Sequence, residues 1–215
     1  MIKLLDILEN KILVPRRSAE ERANNFLIAT QKKIQQYIKN GGKGELDLSN
    51  SPITSLPNNL QVGGGLVLRN TKITSLPDNL KVGGDLWVSN TPITSLPDNL
   101  KVGGYLWVAN TPITSLPYNL KVGGDLWVDN TPITSLPDNL KVGGYLGVAN
   151  TPITSLPDNL EVGGYLYLND TSITTLPQGL KVGGYLNLRN TPISKKYSKE
   201  EIKKMVPGVK GNIFI

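Results

Sequence analysis

The chain has 215 residues, 39% of them hydrophobic, a formal net charge of +6, and neither cysteine nor histidine. Without cysteine there is no disulfide framework, thiolate nucleophile or cysteine-ligated zinc site, and without histidine the commonest general base and transition-metal ligand are missing. The charge sits at the ends: nine basic and four acidic side chains over residues 1–43, eight and eleven over 44–193, six and two over 194–215.

A protein that tracks phosphates is expected to spread lysine and arginine along one face, so this distribution argues against a nucleic-acid partner. The first residues, MIKLLDILENKILVPRR, lack the long apolar run and small-residue cleavage site of a signal peptide. No stretch approaches the roughly 20 apolar residues of a membrane span. The expectation is a cytoplasmic protein with no membrane contact.

Residues 1–43 read as a helical N-terminal cap. Leu4, Leu5 and Leu8 give Met1 to Glu9 an amphipathic turn or two, and Lys11 to Arg17 is extended because Val14 precedes Pro15. Ser18-Ala-Glu-Glu21 has capping-box form. The helix it opens is predicted to run to about Asn40, with Phe26, Leu27, Ile34 and Ile38 near one face, and to stop at Gly41-Gly42.

From Gly44 a 20-residue unit, G-x-L-x-V-x-N-T-P-I-T-S-L-P-D-N-L-K-V-G, recurs seven times, and an eighth copy breaks off after Ile193. Self-similarity at such a period predicts a solenoid over residues 44–193, each rung touching only its neighbours. In Asp85-Leu86-Trp87-Val88-Ser89 strand alternation sends Leu86 and Val88 inward and the other three outward. Ile93, Leu96, Leu100 and Val102 complete six core side chains per rung. The P-D-N segment suits a turn and the adjacent glycine pair a tight corner. Two prolines per rung argue against a helix on the returning side, where extended or 3₁₀ structure is expected. Lys81, Lys101, Lys121, Lys141 and Lys181 form a row near Asp78, Asp98, Asp138 and Asp158, which reads as a solvated rim of alternating charge.

Residues 194–215 read as a C-terminal cap. A second capping box, Ser198-Lys-Glu-Glu201, opens a short helix through Met205 that Val206-Pro207-Gly208 ends. Gly211 to Ile215 is placed as a final strand.

Read from the strand onward, L-x-V-x-N-T-P-I-T-S-L-P resembles the leucine-rich repeat, in particular the short bacterial class with a Leu-Pro pair in every turn. Such arrays occur in secreted effectors and in bacteriophage and bacterial proteins. The resemblance implies a predominantly β solenoid of the α/β type. It would be a right-handed superhelix with a parallel sheet on the concave face, extended or 3₁₀ structure on the convex side, and helical caps. Two departures stand out. A hydroxyl residue (Ser51, Thr71, Thr91, Thr111, Thr131, Thr151, Thr171, Thr191) replaces the ladder asparagine and is expected to bond the backbone of neighbouring turns, while the asparagine lies one residue earlier and shapes the turn. K-V-G-G stands where many repeats have a leucine. Effector enzymes with these repeats carry a separate catalytic cysteine domain, and that activity is not carried over to a sequence without cysteine.

Variation concentrates at the three outward strand positions. The middle one holds all three tryptophans, Trp87, Trp107 and Trp127, on consecutive rungs, then Gly147 and Tyr167. Tyr105, Tyr145, Tyr165 and Tyr185 share the first position with Asp85 and Asp125, and Asp129 lies in the third. Exposed Trp and Tyr dominate binding hot spots, whereas aromatics at identical positions also stabilise a sheet by stacking on one another. Gly147 would leave a notch in the tryptophan column or a weaker rung.

The expected function is non-enzymatic recognition of a protein partner through this face. Carbohydrate binding, in which sugar rings stack on the aromatics beside Asp85, Asp125 and Asp129, and self-association are the alternatives. Catalysis by Asp125 and Asp129 is disfavoured because an open sheet has nothing to exclude water or shift their pKa values. No cofactor or metal is expected.

Overall fold

The computed structural model describes residues 18–138 and 140–215, so the readings of Met1 to Arg17 lie outside it. Each rung contributes two short strands separated by the glycine pair. Leu46–Asp47, Leu66–Val67, Leu86–Trp87, Leu106–Trp107, Leu126–Trp127, Leu146–Gly147, Leu166–Tyr167 and Leu186–Asn187, with Ile213–Phe214 added last, form a nine-stranded parallel sheet. A second parallel sheet of seven strands is built from Gln61–Val62, Lys81–Val82 and their equivalents through Lys181–Val182. The sequence reading missed this sheet. Its signal, K-V with one outward and one inward side chain, is only two residues long, too short for periodicity to register. Between rungs the pairing is with the residue 20 positions on, as in Leu86↔Leu106 and Lys81↔Lys101, while the last strand joins at a spacing of 27, Leu186↔Ile213.

The six apolar positions are buried as their spacing predicts. In one rung Leu86, Val88, Ile93, Leu96, Leu100 and Val102 all lie inside, and the same set recurs along the stack as one continuous core. Each such side chain contributes about 1.5–3 kcal/mol of burial, which is why these letters scarcely change.

Two polar columns close the turn after the first strand. Thr91 Oγ1 donates to Val88 O at 2.7 Å, and Thr71, Thr111, Thr131, Thr151, Thr171 and Thr191 repeat that bond. The hydroxyls therefore serve their own rung and not the neighbouring turn. A side chain this short reaches the carbonyl three residues back and supplies that buried oxygen with a donor. The residue before each hydroxyl, asparagine on every rung except for Asp170, takes the left-handed conformation, with φ from 54° to 60° across the eight rungs. Its amide makes the rung-to-rung link instead, as in Asn70 Nδ2 to Asn50 Oδ1 at 3.0 Å and Asn190 Nδ2 to Asp170 Oδ1 at 2.9 Å.

The glycine pair is needed for a different reason from a tight corner. Neither glycine of the repeated pair has positive φ. A Cβ on Gly103 would overlap the carbonyl oxygen of Gly83 in the rung before, and Gly83, Gly123, Gly143, Gly163 and Gly183 meet the same obstacle. The first glycine lets successive backbones touch. The second makes room for a side chain: Tyr105, Tyr145 and Tyr165 lay their rings over Gly124, Gly144's successor Gly164, and Gly184.

Helix α1 (Ala19–Lys39) covers the first rung, opened by a reciprocal capping box in which Ser18 N–H donates to Glu21 at 2.8 Å and Glu21 N–H to Ser18 Oγ at 3.0 Å. The packed stripe is Leu27, Thr30, Ile34 and Tyr37, while Phe26 and Ile38 are each 48% exposed. Thr30 fits inside because its hydroxyl bonds back to Phe26 O at 2.9 Å. Helices α2 (Pro192–Lys196) and α3 (Lys199–Met205) close the other end, with Ile202, Val206 and Val209 buried. Helix α2 was not foreseen. Thr191, the last of its column, turns into an N-cap because Pro192 and Ser194 follow it. No described helix is long and apolar enough to cross a membrane.

Candidate functional site

Parallel register converts the outward columns of the sequence into rails on the nine-stranded sheet. Trp87 pairs with Trp107 and Trp107 with Trp127. Their rings stack at centroid separations of 5.0 and 5.5 Å, tilted by 20° and 25°. The indoles are half-buried, and each turns its faces to its neighbours and an edge outward.

Gly147 leaves neither a notch nor a gap. Trp127 and Tyr167 lie two strands apart, about 9.6 Å by backbone spacing, yet their rings are 5.5 Å from each other. Trp127 leans across Gly147, where a Cβ would overlap atom Cε3 of the indole. The glycine keeps the rail continuous.

A second rail runs beside the first. Tyr145, Tyr165 and Tyr185 stack at 4.5 and 4.6 Å, almost parallel. Tyr165 meets Tyr167 edge-on at 6.4 Å and so joins the rails. Tyr105 stands apart from this stack, between Asp85 and Asp125, and is among the more exposed aromatics. Three further residues finish the surface. Phe214, from the last strand, sits edge-on against Tyr185 at 5.5 Å. Arg69 places its guanidinium 3.9 Å over Trp87, and Arg189 lies 5.0 Å from the Phe214 centroid. Sequence reasoning passed over these three. The two arginines were visible in the third outward column, but that they cap the two ends of one aromatic run depends on side-chain direction.

The carboxylates are tied into the sheet. Asp85 Oδ1 accepts from Tyr105 N–H at 2.8 Å, Asp125 Oδ1 from Tyr145 N–H at 2.8 Å, and Asp129 Oδ1 from Ala149 N–H at 2.7 Å. Each satisfies a backbone donor of the next rung. Burial raises the pKa of Asp129 above the ordinary carboxylate value, outweighing the Ala149 bond that lowers it. This corrects the expectation that an open sheet shifts nothing: Trp127 and its neighbours shield this carboxyl. Tyr167 is also shifted upward, first by burial and then by nearby Tyr145, Tyr165 and Asp125. It therefore stays a neutral donor.

The lysine row lies on the second sheet and does not pair with the aspartates as a rim of alternating charge. Among the described residues its ion pairs are Lys141 to Glu161 at 3.1 Å and Lys181 to Glu161 at 2.8 Å. The aspartates sit in the preceding turn, outside this strand's register.

No family model matches the sequence, and no curated protein matches it. Among solved structures, the chain is similar to the leucine-rich-repeat domain of a Shigella effector, at 20% identity over 87% of each chain with a TM-score of 0.62. It is also similar to YopM from Yersinia enterocolitica, at 24% identity over 86% of this chain and 40% of that one, TM-score 0.57. A leucine-rich-repeat protein of Leptospira interrogans matches at 24% identity over 79% of this chain and 54% of that one, TM-score 0.50. The fold is that of a leucine-rich-repeat solenoid, predominantly β with helical caps.

Proposed function

We propose that this leucine-rich-repeat solenoid is a non-enzymatic recognition scaffold that binds a protein partner through the aromatic face of its nine-stranded sheet. The observation that carries the reading is the continuous run Trp87–Trp107–Trp127–Tyr167, locked ring on ring and flanked by the tyrosine rail. Rings held in this way lose little rotamer freedom when a partner docks, and pre-organised aromatics are the usual anchors of protein interfaces. Leucine-rich-repeat folds in general mediate protein recognition. Protein is favoured over carbohydrate because a sugar ring stacks on an aromatic face, and here the faces are occupied by neighbouring rings.

Stacking also stabilises the sheet, by about 0.5–1.5 kcal/mol per aromatic pair beyond area burial. The test therefore needs fold and binding read together. Trp87, Trp107 and Trp127 are replaced by alanine, and far-UV circular dichroism and melting cooperativity are measured beside affinity capture from a host lysate. The reading expects a folded variant that no longer retains the wild-type partner. Loss of the fold, or retention of the partner, would leave the tryptophans as a structural device. Sedimentation at several concentrations separates a foreign partner from a second copy of the chain.

A further inference from the structure

One turn on the opposite side of each rung breaks the repeat's own rule. The position two before the leucine that leads into each second-sheet strand reads Asn58, Asp78, Asp98, Tyr118, Asp138, Asp158, Gln178. Tyr118 puts an aromatic ring where its neighbours have a carboxylate, and at 66% it is the most exposed large apolar side chain described. It lines an open groove of about 820 Å³ with Lys101, Asn119, Lys121, Asp138 and Lys141.

The lysines beside it are in strict register, Lys81↔Lys101↔Lys121. Like charges directly opposite one another on parallel strands repel. None of these three has a carboxylate within 4 Å among the described residues, since both ion pairs of the row involve Glu161. Glu161 shows what a carboxylate does when it stands level with the row. It is bridged by Lys141 from the rung before and Lys181 from the rung after, and those two ammonium groups hold its pKa below the ordinary value.

We propose that the groove around Tyr118 binds an acidic peptide segment. A glutamate or aspartate of the segment would lie above the adjacent ammonium groups of Lys101 and Lys121 and accept from both, as Glu161 accepts from Lys141 and Lys181 on the rungs to either side of it, and an apolar side chain would cover the Tyr118 ring. This surface is separate from the aromatic rails and does not depend on the function proposed for them. A peptide fits better than a nucleic-acid strand because Asp138 is in the groove and Asp98 precedes it. A phosphate backbone brings a charge with every nucleotide against those carboxylates, whereas a peptide can offer them N–H donors.

The probe is a fluorescein-labelled peptide of otherwise uncharged residues carrying a pair of glutamates and one phenylalanine, with labelled oligothymidylate and heparin as rival polyanions. Binding is read by anisotropy at low and high salt. The decisive variant is Tyr118→Asp, which gives this rung the residue of its neighbours and so keeps the fold. Lys101→Glu with Lys121→Glu is the second, and circular dichroism reports its folding. The expected result is salt-sensitive binding of the peptide by wild type, weakened about tenfold or more in both variants, a change of roughly 1.4 kcal/mol. The triple tryptophan variant is expected to bind as wild type does. Absence of peptide binding, equal binding by Tyr118→Asp, tighter binding of oligothymidylate or heparin, or loss of binding in the tryptophan variant would each overturn the proposal.

Discussion

The glycine seam and the aromatic rails lie next to each other on every rung, yet they tolerate change in opposite ways. Along the seam the first glycine never varies, because any side chain would overlap the carbonyl of the previous rung. On the rails the residue varies along the stack, the middle column running from Asp47 and Val67 through three tryptophans to Gly147, Tyr167 and Asn187. There, one copy is constrained only by the ring it leans on. The seam therefore sets the distance between rungs, and the rails use that distance: rings stack at 4.5–5.5 Å because backbones are held that close.

The largest break in this comparison should come from Gly103→Ala. Its Cβ would coincide with Gly83 O in the middle of the stack, and backbone cannot step aside as a side chain can. We expect a loss on the order of 3 kcal/mol or more by urea denaturation, with the steeply cooperative transition broadening as neighbouring rungs uncouple. Gly63→Ala is the internal control. Its nearest obstacle, Gly42 O, is 3.0 Å away, so it should cost clearly less. Equal losses at the two sites would mean that the seam acts through backbone conformation and not through contact.

Gly147→Ala probes the rails with a smaller expected effect. The new Cβ would displace the Trp127 ring and approach Asp129 Oδ2 at 2.7 Å, its nearest obstacles being side-chain atoms. A cost of about 1–3 kcal/mol follows from overpacking of this kind. The more telling readout is optical. Stacked indoles couple, so the near-ultraviolet circular dichroism of Trp127 should change sharply once it parts from Tyr167, while the melting transition stays single. An unchanged spectrum would show that Trp127 does not depend on the glycine for its position.

How much of this was legible beforehand follows the same division. The period and the six apolar letters gave the solenoid and its core, because burial acts on each residue separately and leaves its mark at fixed spacing. The capping boxes at Ser18 and Ser198 were readable for the same reason, each being settled within four residues. What escaped was decided between rungs: the purpose of the glycine pair, the second sheet, and the closing of the tryptophan rail across Gly147. Tyr118 left a plain mark, a tyrosine between Asp98 and Asp138 in its column, but one changed letter carries no period. Phe214 and its contact with Arg189 joined the surface only when the chain end was folded back beside the last rung, and Arg69 only through the direction of its side chain over Trp87.

The smallest predicted effect bears on whether the rails cost anything to the fold that carries them. Asp129 serves the sheet by accepting from Ala149 N–H, but burial beside Trp127 makes its charged form unfavourable. A carboxyl whose native pKa is raised holds its proton more tightly folded than unfolded. Its contribution is thus most favourable below the ordinary carboxylate range and is lost as pH rises through the native value. The exposed carboxylates held low, Glu161, Asp170 and Glu201, run the other way, contributing above that range and losing ground as pH falls. Asp129→Asn keeps an oxygen for the Ala149 bond and removes the charge. The difference between variant and wild-type unfolding midpoints should therefore be near zero in acid and favour the variant at neutral pH, a pattern the exposed carboxylates cannot mimic because they are common to both chains. If the variant is instead the less stable one at neutral pH, the charge of Asp129 supports the sheet, and shielding by the aromatic rail is not what sets its pKa.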